Sequence, residues 1–405
     1  MRVAYGPEMT AVLATKEGTQ MLNKSTMLLL AGAVVLNAPA AEHGEAGNTV
    51  EKKEADKLSI TPIDQTKPFF KTSLFWPNDP AIAKGEWRGP KGYPYHISAA
   101  YDGRRTIVVV AHVRTDKGFP DGAPGHVAVR RSTDFGGSWT RPEVIQPYID
   151  WNLTASGLVY VPKHDQFIGP LFSMIEHKHG ATPEKRRWIV GDRNGTEWSV
   201  RPGASRGEPQ HLFVGNSQGA SLRLRTGPHA GRLLIPLRHY PRTPDGKHPS
   251  RGQGNVVLYS DDHGATWQLG EPFALGAGSE LGMAETSDGR LYGTLRNHGK
   301  KHWRTPRTVA HSNDGGRTWT DVGPGGPYNT TWTNGDVETY PKRLLPAGRE
   351  RLMIFVNPTD DGPSRRPNHA VWFSYDDGAS WPLYKIIWDV TNPEQGEGSA
   401  RATSV

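Results

Sequence analysis

A short motif that combines Ser, Asp and a second hydroxyl residue occurs four times in this 405-residue chain. Its pattern, Ser-x-Asp-x-Gly-x-Thr/Ser-Trp, covers residues 132–139, 260–267, 312–319 and 374–381, and a degenerate copy at 191–198 keeps the Gly and the Trp. A carboxylate beside hydroxyl groups could serve nucleophilic or acid–base catalysis. However, a residue set repeated in every structural unit cannot all face one site. The repetition therefore predicts a structural turn, in which Gly accepts positive φ, Asp accepts backbone N–H groups and Trp buries its ring.

Metal and cofactor chemistry has little support in the sequence. His298 and His302 stand four residues apart, but the Gly-Lys-Lys between them predicts a loop and not a helical pair of metal ligands. The chain contains no cysteine, so it has neither disulfides nor thiolate ligands. We therefore expect no metal and no cofactor.

The spacing of the motif indicates how the chain is built. Successive copies start 59, 69, 52 and 62 residues apart, and a period of this size with one turn per unit is typical of a β-propeller. Residues 106–111 predict a buried strand that follows a turn at Asp102–Gly103. We predict an all-β protein, a six-bladed β-propeller spanning residues 60–405. Only 24 residues follow Trp381, so we expect the last blade to be incomplete.

The first 59 residues predict an export signal and a linker. Residues 21–41 contain Lys24, an apolar run and Ala38-Pro39-Ala40, the pattern of a signal peptide with its cleavage site. The run is too short to span a bilayer. We expect Met21 to be the true start, residues 1–20 to be a doubtful extension and residues 42–59 to be a charged linker. These features predict a secreted or periplasmic protein without a membrane span.

The formal net charge of +7 favours an anionic partner. Lys and Arg are dispersed and form no recognition-helix pattern, which argues against nucleic acid. An acidic glycan is therefore the expected partner, and we expect a monomer.

Several runs of the chain resemble the bacterial exo-sialidases, a family of propellers with BNR or Asp-box repeats. The resemblance extends over residues 93–384 and is carried by Gly227-Pro228-His229-Ala230-Gly231-Arg232-Leu233, Tyr259-Ser260-Asp261-Asp262-His263-Gly264, Ser279-Glu280, Asp288-Gly289-Arg290-Leu291 and Arg296-Asn297, with Arg130-Arg131-Ser132-Thr133-Asp134 upstream. It implies hydrolysis of a terminal acidic, sialic-acid-like sugar from glycans. It also implies a site on the propeller axis with three arginines, an acid/base Asp, and a Tyr nucleophile activated by a Glu.

The chemistry of sialic acid explains this set of residues. Its anomeric carbon bears a carboxylate that would repel a carboxylate nucleophile, so a neutral Tyr attacks with help from a Glu. Guanidinium groups match a planar carboxylate through paired hydrogen bonds.

The resemblance implies roles for four residues of this sequence. Asp121 falls at the acid/base Asp, and Glu280 falls at the Glu that activates the nucleophile. Arg296 and Arg366 fall at the second and third arginines that grip the substrate carboxylate.

Two departures from the family pattern bear on activity. The first arginine is expected in a Tyr-Arg-Ile-Pro run, where this chain has Tyr95-His96-Ile97-Ser98. His96 can donate to a carboxylate but lacks the bidentate fork of Arg. The nucleophilic Tyr is expected beyond Trp381, but no Tyr stands at the matching position. Tyr384 lies too close to the turn to match, and Tyr340 is a fallback without motif support. We therefore expect ordinary sialosides to be poor substrates.

Two other functions remain open at this level. A polysaccharide lyase acting on uronate-containing glycans needs an Arg that neutralises the carboxylate and a His or Tyr base, and His96 and His112 lie on one predicted hairpin. A propeller that binds an acidic glycan without catalysis would also fit.

Overall fold

A computed structural model describes the chain at residues 4–5, 9–10, 93–114, 125–134, 138–149, 153–155, 157–173, 187–202, 214–216, 219–239, 254–276, 278–296, 307–327, 336–339, 351–358 and 368–389. The regular secondary structure of these residues is entirely β-strand, with no α-helix among them. Within the same ranges, no helix has the length and apolar character needed to cross a membrane.

The strands of the described residues form one two-stranded ribbon and five antiparallel sheets. The ribbon pairs β1 (Ala4–Tyr5) with β2 (Met9–Thr10). Blade I contains β3 (Tyr93–Tyr101), β4 (Ile107–Arg114), β5 (Gly125–Ser132) and β6 (Glu143–Ile149). Blade II contains β7 (Leu153–Ala155), β8 (Val159–Val161), β9 (Gln166–Ser173), β10 (Arg187–Asp192) and β11 (Trp198–Pro202). Blade III contains β12 (Val214–Asn216), β13 (Leu222–Arg223), β14 (Leu233–His239), β15 (Gly254–Ser260) and β16 (Gln268–Leu269).

The last two sheets have four strands each. Blade IV contains β17 (Ser279–Glu285), β18 (Leu291–Arg296), β19 (Arg307–Ser312) and β20 (Thr320–Gly325). Blade V contains β21 (Asp336–Thr339), β22 (Met353–Pro358), β23 (Asn368–Ser374) and β24 (Leu383–Asp389).

This arrangement confirms the predicted all-β propeller. Five blades are described, and a sixth blade stays a prediction. Blades II and III have five strands, not four, because their first strand is divided in two. β7 and β8 both pair with β9, and β12 and β13 both pair with β14.

The second strand of blade I shows why the blades pack tightly. Val108 and Val110 of β4 pack in a cluster with residues of blade II, and Val109 and Ala111 pack on the opposite face. A strand buried on both faces needs a continuous apolar run instead of alternation. Because both faces are buried, the predicted strand at 106–111 lies at the centre of the blade core. Each fully buried Val side chain adds about 1.5–3 kcal/mol to the stability of the fold.

The repeated motif forms the turn between the last two strands of a blade. In the copy at 260–267, Ser260 Oγ donates to Asp262 Oδ1 at 2.8 Å, and Asp262 accepts the Thr266 backbone N–H and hydroxyl at 2.8 and 2.6 Å. Gly264 has φ of +87°, and Trp267 is fully buried below the turn. The hydrogen bonds confirm the predicted structural role, since the polar groups of the motif satisfy one another.

The degenerate copy forms the same kind of turn with its Asp moved by one position. Asp192 accepts the backbone N–H groups of Thr196 and Glu197 at 2.6 and 2.7 Å. Gly191 stands where the other copies have Ser. A Cβ there would lie 2.7–2.8 Å from the ring of Trp198, so the ring occupies the space that a Ser would need.

Turns of neighbouring blades contact one another and therefore lie at one end of the propeller, which we call the repeat end. The buried Arg232 side chain pairs with Asp261 of its own blade and donates to the carbonyl oxygens of Asp314 and Gly315 in blade IV at 2.9 and 3.1 Å. Asp377 of blade V accepts the Ser287 N–H of blade IV at 2.9 Å.

We expect the repeat turns to make the fold sensitive to acid. Burial raises the pKa of Asp314, but hydrogen bonds from Thr318, Ser312 and Arg317 outweigh it and leave the pKa below its ordinary value; the pKa values of Asp134, Asp262 and Asp376 are lowered in the same way. A carboxyl with a lowered folded-state pKa stabilises the fold above its unfolded pKa, near pH 4, and loses that contribution as the pH falls through the folded value.

Thermal unfolding followed by circular dichroism from pH 7 to about pH 3 measures this effect. The melting temperature of the wild type should fall over the acidic part of the range, and Asp314→Asn should flatten that fall. Asp321→Asn, at an exposed position of the same blade, serves as the control. An equal acid dependence in all three proteins would contradict the prediction.

Candidate active site

The end of the sheets opposite to the repeat end, here called the site end, gathers charged residues from two blades. In β14, Leu233 pairs with Ser260 of the repeat turn, so His239 at the other end of the strand lies at the site end. In β18, Leu291 pairs with Ser312, which places Arg296 at the site end of blade IV.

Glu280 lies at the site end of β17 in a distorted backbone conformation. The register of β17 and β18 shifts between Ser279 and Leu281, which makes Glu280 the extra residue of a β-bulge. Its φ is +57°, the left-handed region that L-residues rarely adopt, and it is only 1% exposed. Strained residues of this kind concentrate at functional sites because the surrounding structure must hold them in place.

Two buried guanidinium groups hold the Glu280 carboxylate. Arg296 Nη1 donates to both carboxylate oxygens at 3.0 Å. Arg238 Nη2 donates to Oε1 from β14 of the neighbouring blade. The side chains of Arg238 and Arg296 are 8% and 10% exposed, and that of Glu280 is fully buried. One negative charge therefore faces two positive charges away from solvent, where charge-assisted hydrogen bonds are strong.

The backbone before the bulge is fixed by a buried amide. Asn255 Nδ2 in β15 donates to the Gly278 carbonyl at 3.0 Å. A Cβ at Gly278 would lie 2.9 Å from the Arg296 carbonyl oxygen, so only Gly allows this approach of the two strands. Blades III and IV thus determine jointly where Glu280 stands.

A third arginine adds to the positive charge at the site end. Arg307, 2% exposed at the start of β19, donates from Nε to Thr294 Oγ1 at 2.8 Å. Its guanidinium lies 5.0 Å from the centroid of the Phe355 ring in blade V, a cation–π contact. The three positive charges of Arg238, Arg296 and Arg307 outnumber the single negative charge of Glu280. This excess of positive charge among the described side chains favours an anionic ligand.

His96 is described through its backbone alone. It is the extra residue of a bulge in β3, between Tyr95, which pairs with His112, and Ile97, which pairs with Ala111. His112 itself is fully buried. The first-arginine position of the resemblance thus lies on a distorted strand at the site end of blade I.

The other predicted site residues lie outside the described residues. Asp121 belongs to residues 115–124, between β4 and β5, whose site ends pair through Arg114 and Gly125. Arg366 belongs to residues 359–367, between β22 and β23, which pair at Pro358 and His369. Tyr340 is likewise not described, and Tyr384 is described only as backbone in β24. The roles of these residues stay predictions.

The sequence analysis missed Arg238. It follows the apolar run at 233–237 as the first charged residue of β14. A charged residue at the site end of a buried strand was a usable signal, because buried charges require partners. Its partner, Glu280, lies 42 residues further along the chain.

Among the described residues, no group of three or more His, Asp or Glu side chains is placed to hold a metal ion.

Comparison with known families gives one match over most of the chain. The family model described as "BNR repeat-like domain" matches residues 125–396.

Curated relatives are also found. The sialidase of Micromonospora viridifaciens is 26% identical over 321 residues, covering 72% of this chain and 44% of that protein. The Vibrio cholerae sialidase is 30% identical over 150 residues, covering 31% of this chain and 19% of that protein. The chain thus spans less than half of the length of either relative.

Among solved structures, the Hadza microbial sialidase Hz136 has a similar fold. It superimposes with a TM-score of 0.58 at 18% identity, covering 76% of this chain and 60% of the other. At this identity the likeness shows the fold alone.

Proposed function

We propose a function from the premise that this chain belongs to the BNR repeat-like domain family, within the sialidase superfamily. We infer that it is a secreted sialidase-type glycoside hydrolase that removes a terminal acidic sugar from glycans. The observation that supports this most is the buried cluster of Arg238, Glu280 and Arg296 at the site end. A carboxylate on a strained bulge between two guanidinium groups resembles a site prepared for an anionic substrate.

The residues would divide the reaction between them. Arg296 and Arg366 would bind the carboxylate of the sugar. Glu280 would accept the proton of a Tyr hydroxyl as that oxygen attacks the anomeric carbon, and Asp121 would protonate the departing glycosidic oxygen. Water would then release the sugar, with Asp121 acting as the base and Tyr regaining its proton from Glu280.

The test is turnover of a panel of substrates by the purified protein. The panel contains an aryl sialoside, aryl uronides and the matching neutral aryl glycosides, with Glu280→Gln as the variant that keeps the shape of the site. We expect release of phenol from at least one acidic glycoside, poor turnover of the sialoside because His96 replaces an arginine, and loss of turnover in Glu280→Gln. Cleavage of neutral glycosides alone, or of none, would contradict the proposal.

The polysaccharide lyase is less well supported. His112, one of its two candidate histidines, is fully buried within blade I, where it could not take a proton directly from a polymer. Glu280 is buried to the same degree, but in the proposed hydrolase it acts through a Tyr hydroxyl and needs no contact with the sugar. Incubation with a uronate polysaccharide separates the two reactions, because a lyase creates a double bond that absorbs in the ultraviolet and a hydrolase does not.

A further inference from the structure

We propose that Arg238 is a positioning residue for catalysis: it holds the Glu280 carboxylate ionised and aligned across the boundary between blades III and IV. The inference rests on the proposed function, because Glu280 must act in the reaction for its alignment to matter. The observation behind it is the hydrogen bond from Arg238 Nη2 to Glu280 Oε1, between side chains that are 8% and 0% exposed.

The approach of Arg238 is determined by strand geometry. Residues alternate between the two faces of β14, so Arg238 shares a face with Leu234, which packs with Leu281 and Leu291 of blade IV. Arg238 therefore reaches Glu280 over the same interface that joins the hydrophobic cores of the two blades. His239, the next residue, lies on the opposite face.

Arg238 and Arg296 constrain Glu280 from different directions. Arg296 belongs to the strand paired with β17 and binds both oxygens, whereas Arg238 comes from another blade and binds Oε1. The left-handed φ of Glu280 costs about 1–2 kcal/mol, so the side chain needs contacts that hold it there. A carboxylate bound from two directions has little freedom to rotate, which is the condition for an aligned catalytic group.

The charges around Glu280 determine the direction in which the pH–rate profile should shift when Arg238 is removed. On β17 and the elements packed near it, the described side chains that are charged or can become charged at acidic to neutral pH are Arg238 and His239 of β14, Arg296 of β18, Arg307 of β19, Glu285 at the repeat end of β17 and Glu338 of β21. Burial lowers the pKa of His239, which favours its neutral form. Of these, Arg238 and Arg296 donate hydrogen bonds to the carboxylate. Removing a nearby cation favours protonation. Loss of Arg238 should therefore move the acidic limb of the pH–rate profile to higher pH.

The test is a double-substitution cycle on the acidic glycoside that the wild type cleaves. Arg238→Gln is expected to lower kcat by about 10- to 100-fold with little change in KM and to raise the acidic limb by about one pH unit or more. The same substitution is made in the Glu280→Gln variant, whose residual turnover is measured at high enzyme concentration. There it should lower kcat by about twofold at most, because the group that Arg238 positions has already been altered. Arg238→Lys keeps the charge and should keep the acidic limb at its wild-type pH.

Each outcome decides between the roles. If Arg238→Gln raises KM for acidic sugars equally in the wild-type and Glu280→Gln backgrounds, Arg238 binds the substrate directly and the inference is wrong. If Arg238→Gln does not fold, Arg238→Lys decides: a raised acidic limb despite the retained charge would overturn the proposal. If the wild type cleaves no acidic glycoside, the proposed function is wrong and this inference falls with it. If the wild type is active but Arg238→Gln leaves its pH–rate profile unchanged, the inference alone is wrong.

Discussion

Replacing Glu280 by Ala is expected to lower the free energy of unfolding by about 3–5 kcal/mol, the usual cost of removing one partner of a buried ion pair. The carboxylate is the shared acceptor of Arg238 and Arg296, both about nine-tenths buried. Without it, two buried guanidinium groups would stay near each other with no Glu280 carboxylate between them. Glu280→Gln should cost less, because the amide oxygen can still accept a hydrogen bond.

The measurement is urea unfolding at equilibrium for a set of variants. Glu280→Gly should be about 1 kcal/mol more stable than Glu280→Ala, because Gly adopts the left-handed φ of +57° without the cost of a Cβ. Glu271→Ala, at an exposed position of blade III, should change stability by about 0.5 kcal/mol or less. A midpoint for Glu280→Ala equal to that of the wild type would show that the buried cluster contributes nothing to stability.

The fold was largely predictable because its signals are local. The turn motif repeats with its own hydrogen bonds, as Asp262 and Thr266 show, and its period gives the blade. The β-branched run at 106–111 was recognised as a strand because apolar β-branched residues suit buried sheets, although the strand continues to Arg114.

Part of the site was not predictable because it depends on how blades pack. Nothing in Ser279-Glu280-Leu281 signals a bulge, since the register shift is a property of how β17 pairs with β18. The contact of Arg238 with Glu280 depends on the twist between two blades, which no short-range pattern encodes. Glu280 and Arg296 were found through resemblance, and the structure brings the two together.

The degenerate repeat shows a limit of motif reading. Its Asp192 is one position early, so the pattern retained only Gly and Trp, yet the carboxylate makes the same type of contacts as Asp262. The turn can keep its hydrogen bonds when the Asp moves by one position, whereas a search for the motif with a fixed spacing misses that Asp.

Arg296→Ala is expected to weaken the binding of an acidic sugar by about 2–5 kcal/mol, the cost of truncating one side of a desolvated charge pair. Arg296 is a buried guanidinium at the site end, and the resemblance places a substrate carboxylate on it. Arg366→Ala is expected to behave in the same way. Isothermal calorimetry with N-acetylneuraminic acid and with glucuronic acid measures the loss.

The matched control for Arg296→Ala is Arg290→Ala, in the turn before β18 at the repeat end, where Arg290 is 48% exposed and pairs with Asp288 at 2.8 Å. It removes the same charge from the same blade and should leave sugar affinity unchanged, so a loss confined to Arg296 cannot come from net charge. Because Arg296 also holds Glu280, the methyl ester of each sugar is measured as well. If Arg296 contacts the carboxylate, the substitution should weaken the acid far more than the ester, since the ester has no charge to lose. An equal loss for both ligands would mean that Arg296 acts through the shape of the Glu280 bulge, and an unchanged affinity for the acid would remove it from the substrate site.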